Sequence, residues 1–74
     1  MNLGQLLDAV EFGTNVRLVY SELATNKEEC YITTFTMSKE LEYTREYEAV
    51  EPYIENEVMA ICITSDGSLC VEII

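Results

Sequence analysis

Apolar residues recur along this chain with two different periods. Leu3, Leu6, Leu7 and Val10 fall at i, i+3, i+4 and i+7, the stripe of an amphipathic helix. The spacing predicts a core-facing helix over residues 2–13. Asn2 suits the N-cap, Gln5 three residues later completes a capping box, and Gly13 supplies a left-handed residue after Phe12. The period then shortens to two. Val16-Arg17-Leu18-Val19-Tyr20 reads as a first strand with Val16, Leu18 and Tyr20 to one side. Ala24-Thr25-Asn26-Lys27-Glu28 reads as a polar loop, and Cys30-Tyr31-Ile32-Thr33-Thr34-Phe35-Thr36 as a β-branched and aromatic second strand.

The last third predicts a hairpin. Two apolar runs, residues 58–64 and 69–74, flank Ser65-Asp66-Gly67-Ser68, and Asp-Gly is the dipeptide of a type I′ turn. That turn would pair Thr64 with Leu69, Cys62 with Val71 and Ala60 with Ile73. It would also place Cys62 and Cys70 on opposite faces and disfavour a disulfide between them. A three-residue loop would instead set the two cysteines opposite each other. In the type I′ register the second face carries Met59, Ile61, Ile63, Cys70 and Ile74, interrupted by Glu72. Both faces are then apolar and both need cover. The middle segment, a second copy of the chain or a foreign partner could supply the second cover, so Met59, Ile61, Ile63 and Ile74 are a candidate homodimer face. The expected architecture is α+β, one small acidic domain over residues 1–74. An N-terminal helix packs on a mainly antiparallel sheet of four or five strands that ends in the hairpin.

Residues 40–57 admit two readings. As a strand, Leu41, Tyr43, Tyr47 and Ala49 alternate with Glu40, Glu42, Glu46 and Glu48. As a helix capped by Ser38, Tyr43, Tyr47, Val50 and Ile54 form a stripe, which Pro52 would end near Val50. The extended reading is preferred, because it gives the cleaner period.

Charge changes this picture from a fold into a candidate surface. The chain has 14 acidic and 4 basic residues and a net charge of −10. Direct binding to nucleic acid or to anionic membrane is disfavoured, since both recruit Lys and Arg. Half of the residues are apolar, so the sequence folds and is not an acidic disordered tail. Within residues 40–57, seven glutamates and one arginine leave a local charge of −6. An extended chain would space alternate carboxylates by about 6.6–6.8 Å. A helix would space Glu48, Glu51 and Glu55 by about 4.5–6 Å along its axis. DNA carries a phosphate about every 3.4 Å on each strand. Either arrangement has the sign and regularity to enter a basic groove built for nucleic acid. The candidate partner-binding residues are Glu40, Glu42, Tyr43, Glu46, Tyr47, Glu48, Glu51, Tyr53, Glu55 and Glu57, with the tyrosines as low-entropy anchors. The plainer alternative is an acidic face that only confers solubility, with the tyrosines in the core.

The remaining chemistry is sparse. With no histidine, the chain lacks the commonest general base and metal ligand. Cys30, Cys62 and Cys70 have no zinc spacing, and Gly4, Gly13 and Gly67 form no phosphate-binding motif. No cofactor, metal or catalytic residue is therefore expected, and the reading is non-enzymatic. The N-terminus lacks a signal-peptide pattern, and no apolar run approaches the roughly 20 residues of a membrane span. Three cysteines without an export signal suggest thiols in a reducing cytoplasm.

The opening Met1-Asn2-Leu3-Gly4-Gln5-Leu6-Leu7-Asp8-Ala9-Val10, the short strand Asn15-Val16-Arg17-Leu18 and the closing hairpin carry a resemblance. In this pattern the chain resembles small acidic proteins encoded by phages and mobile elements of Gram-positive bacteria, including anti-CRISPR and antirestriction inhibitors. That resemblance implies a cytoplasmic inhibitor in a bacterial host. Its partner would be a basic nucleic-acid-binding effector or nuclease, held by charge mimicry. A homo-oligomeric accessory protein of a mobile element, using the apolar hairpin face, is the alternative.

Overall fold

The structure, a computed structural model, describes residues 1–21 and 30–74; the polar loop expected at residues 24–28 lies outside the described residues. In chain order the elements are α1 (Leu3–Leu7), β1 (Asn15–Tyr20), β2 (Tyr31–Thr36), α2 (Arg45–Val50), β3 (Val58–Ile63) and β4 (Leu69–Ile73). Short 3₁₀ turns at Leu41–Tyr43 and Glu51–Tyr53 flank α2. The four strands make one mixed sheet in the order β2-β1-β4-β3. Both outer pairs are antiparallel and the central β1–β4 pair is parallel. This is the expected α+β architecture, with the last strand brought inside the sheet.

The register sorts the side chains into two faces. Phe35, Val16, Leu69 and Ile63 form one row across the four strands, and Thr33, Leu18, Val71 and Ile61 the next. The core lies on this face, where Val16, Leu18, Phe35, Val71 and Ile73 meet Leu3, Leu6 and Leu7 of α1 and Leu41 and Val50 of the middle segment. The opposite face carries Thr34, Arg17, Cys70 and Cys62 in one row, and Tyr31, Val19, Glu72 and Ala60 in another. The Arg17 guanidinium lies 5.4 Å from the centre of the Tyr31 ring.

Three expectations are corrected by this geometry. First, α1 stops at Leu7 with Asp8 as its C-cap, far short of residue 13. Its start is as expected: Asn2 and Gln5 exchange both hydrogen bonds of a capping box, each 2.9 Å. Gly13 does adopt a positive φ of 93°, but in the following loop, where its N–H donates to the Met37 carbonyl at 2.8 Å. That bond and the one from Met37 N–H to the Thr14 carbonyl tie the loop to the end of β2, which competes with further helix. Leu3, Leu6 and Leu7 are buried as their spacing requires.

Second, the hairpin register is shifted by one residue. Ile63 pairs with Leu69, Cys62 with Cys70 and Ile61 with Val71. Thr64 N–H donates to the Ser68 carbonyl at 2.8 Å, and Gly67 N–H to the Thr64 carbonyl at 3.0 Å. Residues 65–67 therefore form a three-residue loop, with Gly67 alone at positive φ, 86°. A type I′ turn would need Asp66 at positive φ as well. Asp66 instead accepts hydrogen bonds from the Thr64 hydroxyl and from Ser68 N–H, which favours the longer loop. Ile61 and Ile63 thus share the core face with Val71, and Cys70 and Glu72 fall on the other.

Third, residues 40–57 form helical turns over 41–43 and 45–53 rather than a strand. Leu41 and Val50 are buried, which an alternating strand could not achieve together. Pro52 ends α2 after Val50 as its chemistry dictates and sits at the start of the next 3₁₀ turn, where no N–H is needed. Ser38 does not cap α2; Thr44 takes that position, with ψ of 158°. The middle segment also packs on the same face as α1, so it leaves the face with Cys62, Cys70 and Glu72 uncovered.

Candidate protein-binding interface

The acidic segment is shaped by its few apolar anchors. Leu41, Val50 and, partly, Tyr47 and Ile54 face the sheet, which forces the intervening glutamates outward. Glu40, Glu42, Glu46, Glu48, Glu51, Glu55 and Glu57 are all exposed. Among the described residues, only Glu57 of these seven is in an ion pair, with the N-terminal amine of Met1 at 3.4 Å. Glu46 and Glu48 stand in the first turn of α2, where backbone N–H groups favour negative charge. The segment consists of three short pieces with a break at Thr44, so no straight row of evenly spaced carboxylates forms.

The tyrosines divide by the same break. The extended backbone at Thr44 resets the helical phase, so Tyr43 leaves the stripe that contains Tyr47, Val50 and Ile54. Tyr43 is 87% exposed. Tyr53 is half-buried and meets Tyr20 edge-on, with ring centroids 5.5 Å apart. The hydrogen bond between their hydroxyls, followed by burial, raises the pKa of Tyr20. Tyr53 thus spends much of its surface inside the fold.

Tyr47 lines both grooves of the face, among Asp8, Glu42, Glu51 and Glu55. Its pKa is raised by burial and then by the carboxylates of Glu42, Glu51 and Asp8. Those three groups come from the turn before α2, the turn after it and the end of α1. Asp8 belongs to this face although it lies far away in sequence, and the helical stripe alone gave no sign of it. Beside Tyr47 run two shallow grooves of about 590 and 570 Å³. They share Glu42, Tyr47 and Ile54; the first adds Leu7, Phe12, Met37 and Lys39, the second Tyr43 and Glu55. The arrangement offers apolar contact surface rimmed by carboxylates.

The candidate homodimer residues occupy a different region. Met59, Ile61, Ile63 and Ile74 are all exposed, Ile61 to 46% and Ile63 to 70%. Ile61 and Ile63 end core-face rows at the edge strand, where neither helix reaches, so the apolar ledge adjoins the core rather than backing it. No grouping of three or more His, Cys, Asp or Glu side chains suited to a metal ion occurs among the described residues. No helix among them is long and apolar enough to cross a membrane. Comparison with protein-family models, curated proteins and solved structures finds no match to the chain.

Proposed function

We propose that this chain is a non-catalytic inhibitor. It binds a basic, nucleic-acid-handling protein through residues 40–57 and Asp8, presenting carboxylates where the partner expects phosphates. The observation that carries this reading is that Asp8, Glu42, Glu51 and Glu55 line the two grooves beside Tyr47, within a surface whose glutamates, among the described residues, are almost all outside ion pairs. Unpaired like charges repel and cost stability, and a basic partner relieves that repulsion on binding. Glu48 and Glu51, three residues apart, are offset by a rise of about 4.5 Å, against about 3.4 Å between phosphates on one DNA strand. The target class is a defence nuclease of the kind met by anti-CRISPR and antirestriction inhibitors, acting in the cytoplasm of a bacterial host.

The test is capture of proteins from a bacterial lysate on the immobilised chain, followed by elution with duplex DNA or RNA. A nucleic-acid-binding protein should elute, and a chain carrying E42K, E46K and E48K should fail to hold it. Capture that is indifferent to nucleic acid and to those reversals overturns the reading.

A second reading rests on the ledge of Ile61 and Ile63: a homodimer in which two copies cover each other's edge strand β3. β3 has no Lys, Pro or other charged residue, the usual guards of a free edge. Light scattering at rising concentration should then show a dimer that I63D abolishes. A monomeric wild-type chain rules it out.

A further inference from the structure

Two cysteines expected on opposite faces of the hairpin are cross-strand partners in the sheet. They lie on the face that neither helix covers, in the row Thr34, Arg17, Cys70, Cys62. Directly opposed residues of an antiparallel pair have Cα atoms about 4.5–5.5 Å apart. That separation falls inside the range of about 4.4–6.8 Å that a disulfide spans. Cys62 is exposed on the edge strand and Cys70 is half-buried beside it.

We propose that Cys62 and Cys70 form an oxidation site, a dithiol that closes to an intramolecular disulfide when the protein meets a peroxide. Cys62, the accessible thiol, reacts first: its sulfur takes one peroxide oxygen to give a sulfenic acid, and water leaves. The Cys70 sulfur then attacks the Cys62 sulfur, the S–S bond forms, and the hydroxyl departs as a second water with the Cys70 proton. Two thiols and one hydrogen peroxide thus give one disulfide and two waters. β3 pairs with β4 alone, so its edge position leaves it free to make the small approach that bond formation needs. The groups facing Cys70 set its readiness. Burial and the hydrogen bond to Cys62 hold its thiol above its ordinary pKa; Glu72 on β4 adds to this and Arg17 on β1 opposes it. The closing step should therefore accelerate with rising pH. The product links the edge strand covalently to its neighbour.

Treatment of the full chain with one equivalent of hydrogen peroxide tests this. The protein should lose the mass of two hydrogens, remain a single chain without reductant, and recover its mass in dithiothreitol. Cleavage at Asp66, which lies between the two cysteines, should give fragments that stay joined until reduction. C30S should behave as the wild type, whereas C70S should stop at a sulfenic acid that dimedone traps on Cys62. The mapping on wild-type protein stands even where a variant folds poorly. Fragments that separate without reductant, a bond through Cys30, or a dimer linked between chains overturns the proposal.

Discussion

Residues 40–57 and 58–74 adjoin in the chain and divide their side chains in opposite ways. The first carries a charge of −6, yet it sends Leu41 and Val50 into the core and half-buries Tyr47, Tyr53 and Ile54. The second has only Asp66 and Glu72 as charges, yet every residue of β3 after Val58 is exposed. What decides burial is the reach of the helical layer. That layer covers β2, β1 and β4 and stops short of β3. A sheet four strands wide under a narrower cover leaves an apolar ledge, and an acidic segment with a few well-placed anchors serves as part of the cover.

The comparison breaks most sharply on two leucine-sized side chains. Leu41→Ala should cost about 2–5 kcal/mol, because it empties a buried site. Ile63→Ala should change stability by less than about 0.5 kcal/mol in the monomer, although it removes the same kind of group from a strand. Urea denaturation of the two variants measures both. The reverse order would mean that the hairpin, not the acidic segment, closes the core. A cost for Ile63→Ala that grows with protein concentration would instead support the dimer.

The next largest effect sharpens how the acidic segment is held. Gly4 N–H donates to the Ile54 carbonyl at 2.9 Å, and a Cβ at Gly4 would stand 2.9 Å from Ile54 Cγ2 and 3.4 Å from that carbonyl. Gly4→Ala must push the start of α1 away from residue 54, at about 1–3 kcal/mol. A thermal midpoint equal to that of the wild type would show that this approach is slack.

These residues also show what the sequence could reveal. The capping box, the alternation of β1 and the Leu3, Leu6 and Leu7 part of the α1 stripe are local patterns, and each is realised at the residues that carry it; Val10 lies beyond the end of the helix. The order of strands is not local. β4 lies between β1 and β3 because the core needs Val71 and Ile73 at its centre, and nothing in the spacing of residues 69–74 states which neighbours they take. The hairpin register turned on one competition: Asp66 bonding to Thr64 and Ser68 against Asp66 entering a left-handed turn. The acidic segment misled through its even alternation, which Thr44 interrupts in space. Asp8 joins the acidic face only through tertiary packing of α1, so its role was invisible along the chain.

A smaller effect tests the loop that sets the register. Gly67 has φ of 86°, and nothing lies within 4 Å of an added Cβ, so Gly67→Ala is strained by backbone alone. The expected loss is about 1–2 kcal/mol. If the same variant also moves Cys62 away from Cys70, peroxide should close the disulfide more slowly in it. Unchanged closure would separate the loop's stability from the register it holds.

The smallest effect is electrostatic and belongs to Asp66. The Thr64 hydroxyl, followed by the hydrogen bonds from Ser68, lowers its pKa from the ordinary 3.8 to about 2. A carboxylate whose folded-state pKa is depressed adds stability that is complete above 3.8 and disappears as the pH falls through about 2. The carboxyl is fully exposed, so water screens most of the gain and only the turn should respond. NMR titration of the Asp66 carboxyl should give a midpoint near 2 in the wild type and one nearer 3.8 in Thr64→Val, which lacks the donating hydroxyl. Over the same interval the Leu41 methyl signals should stay fixed, since acid loosens a loop beyond the helical cover and leaves the anchors beneath it in place. Methyl signals that move together with Asp66 would join the two regions into one cooperative unit and remove the distinction drawn between them.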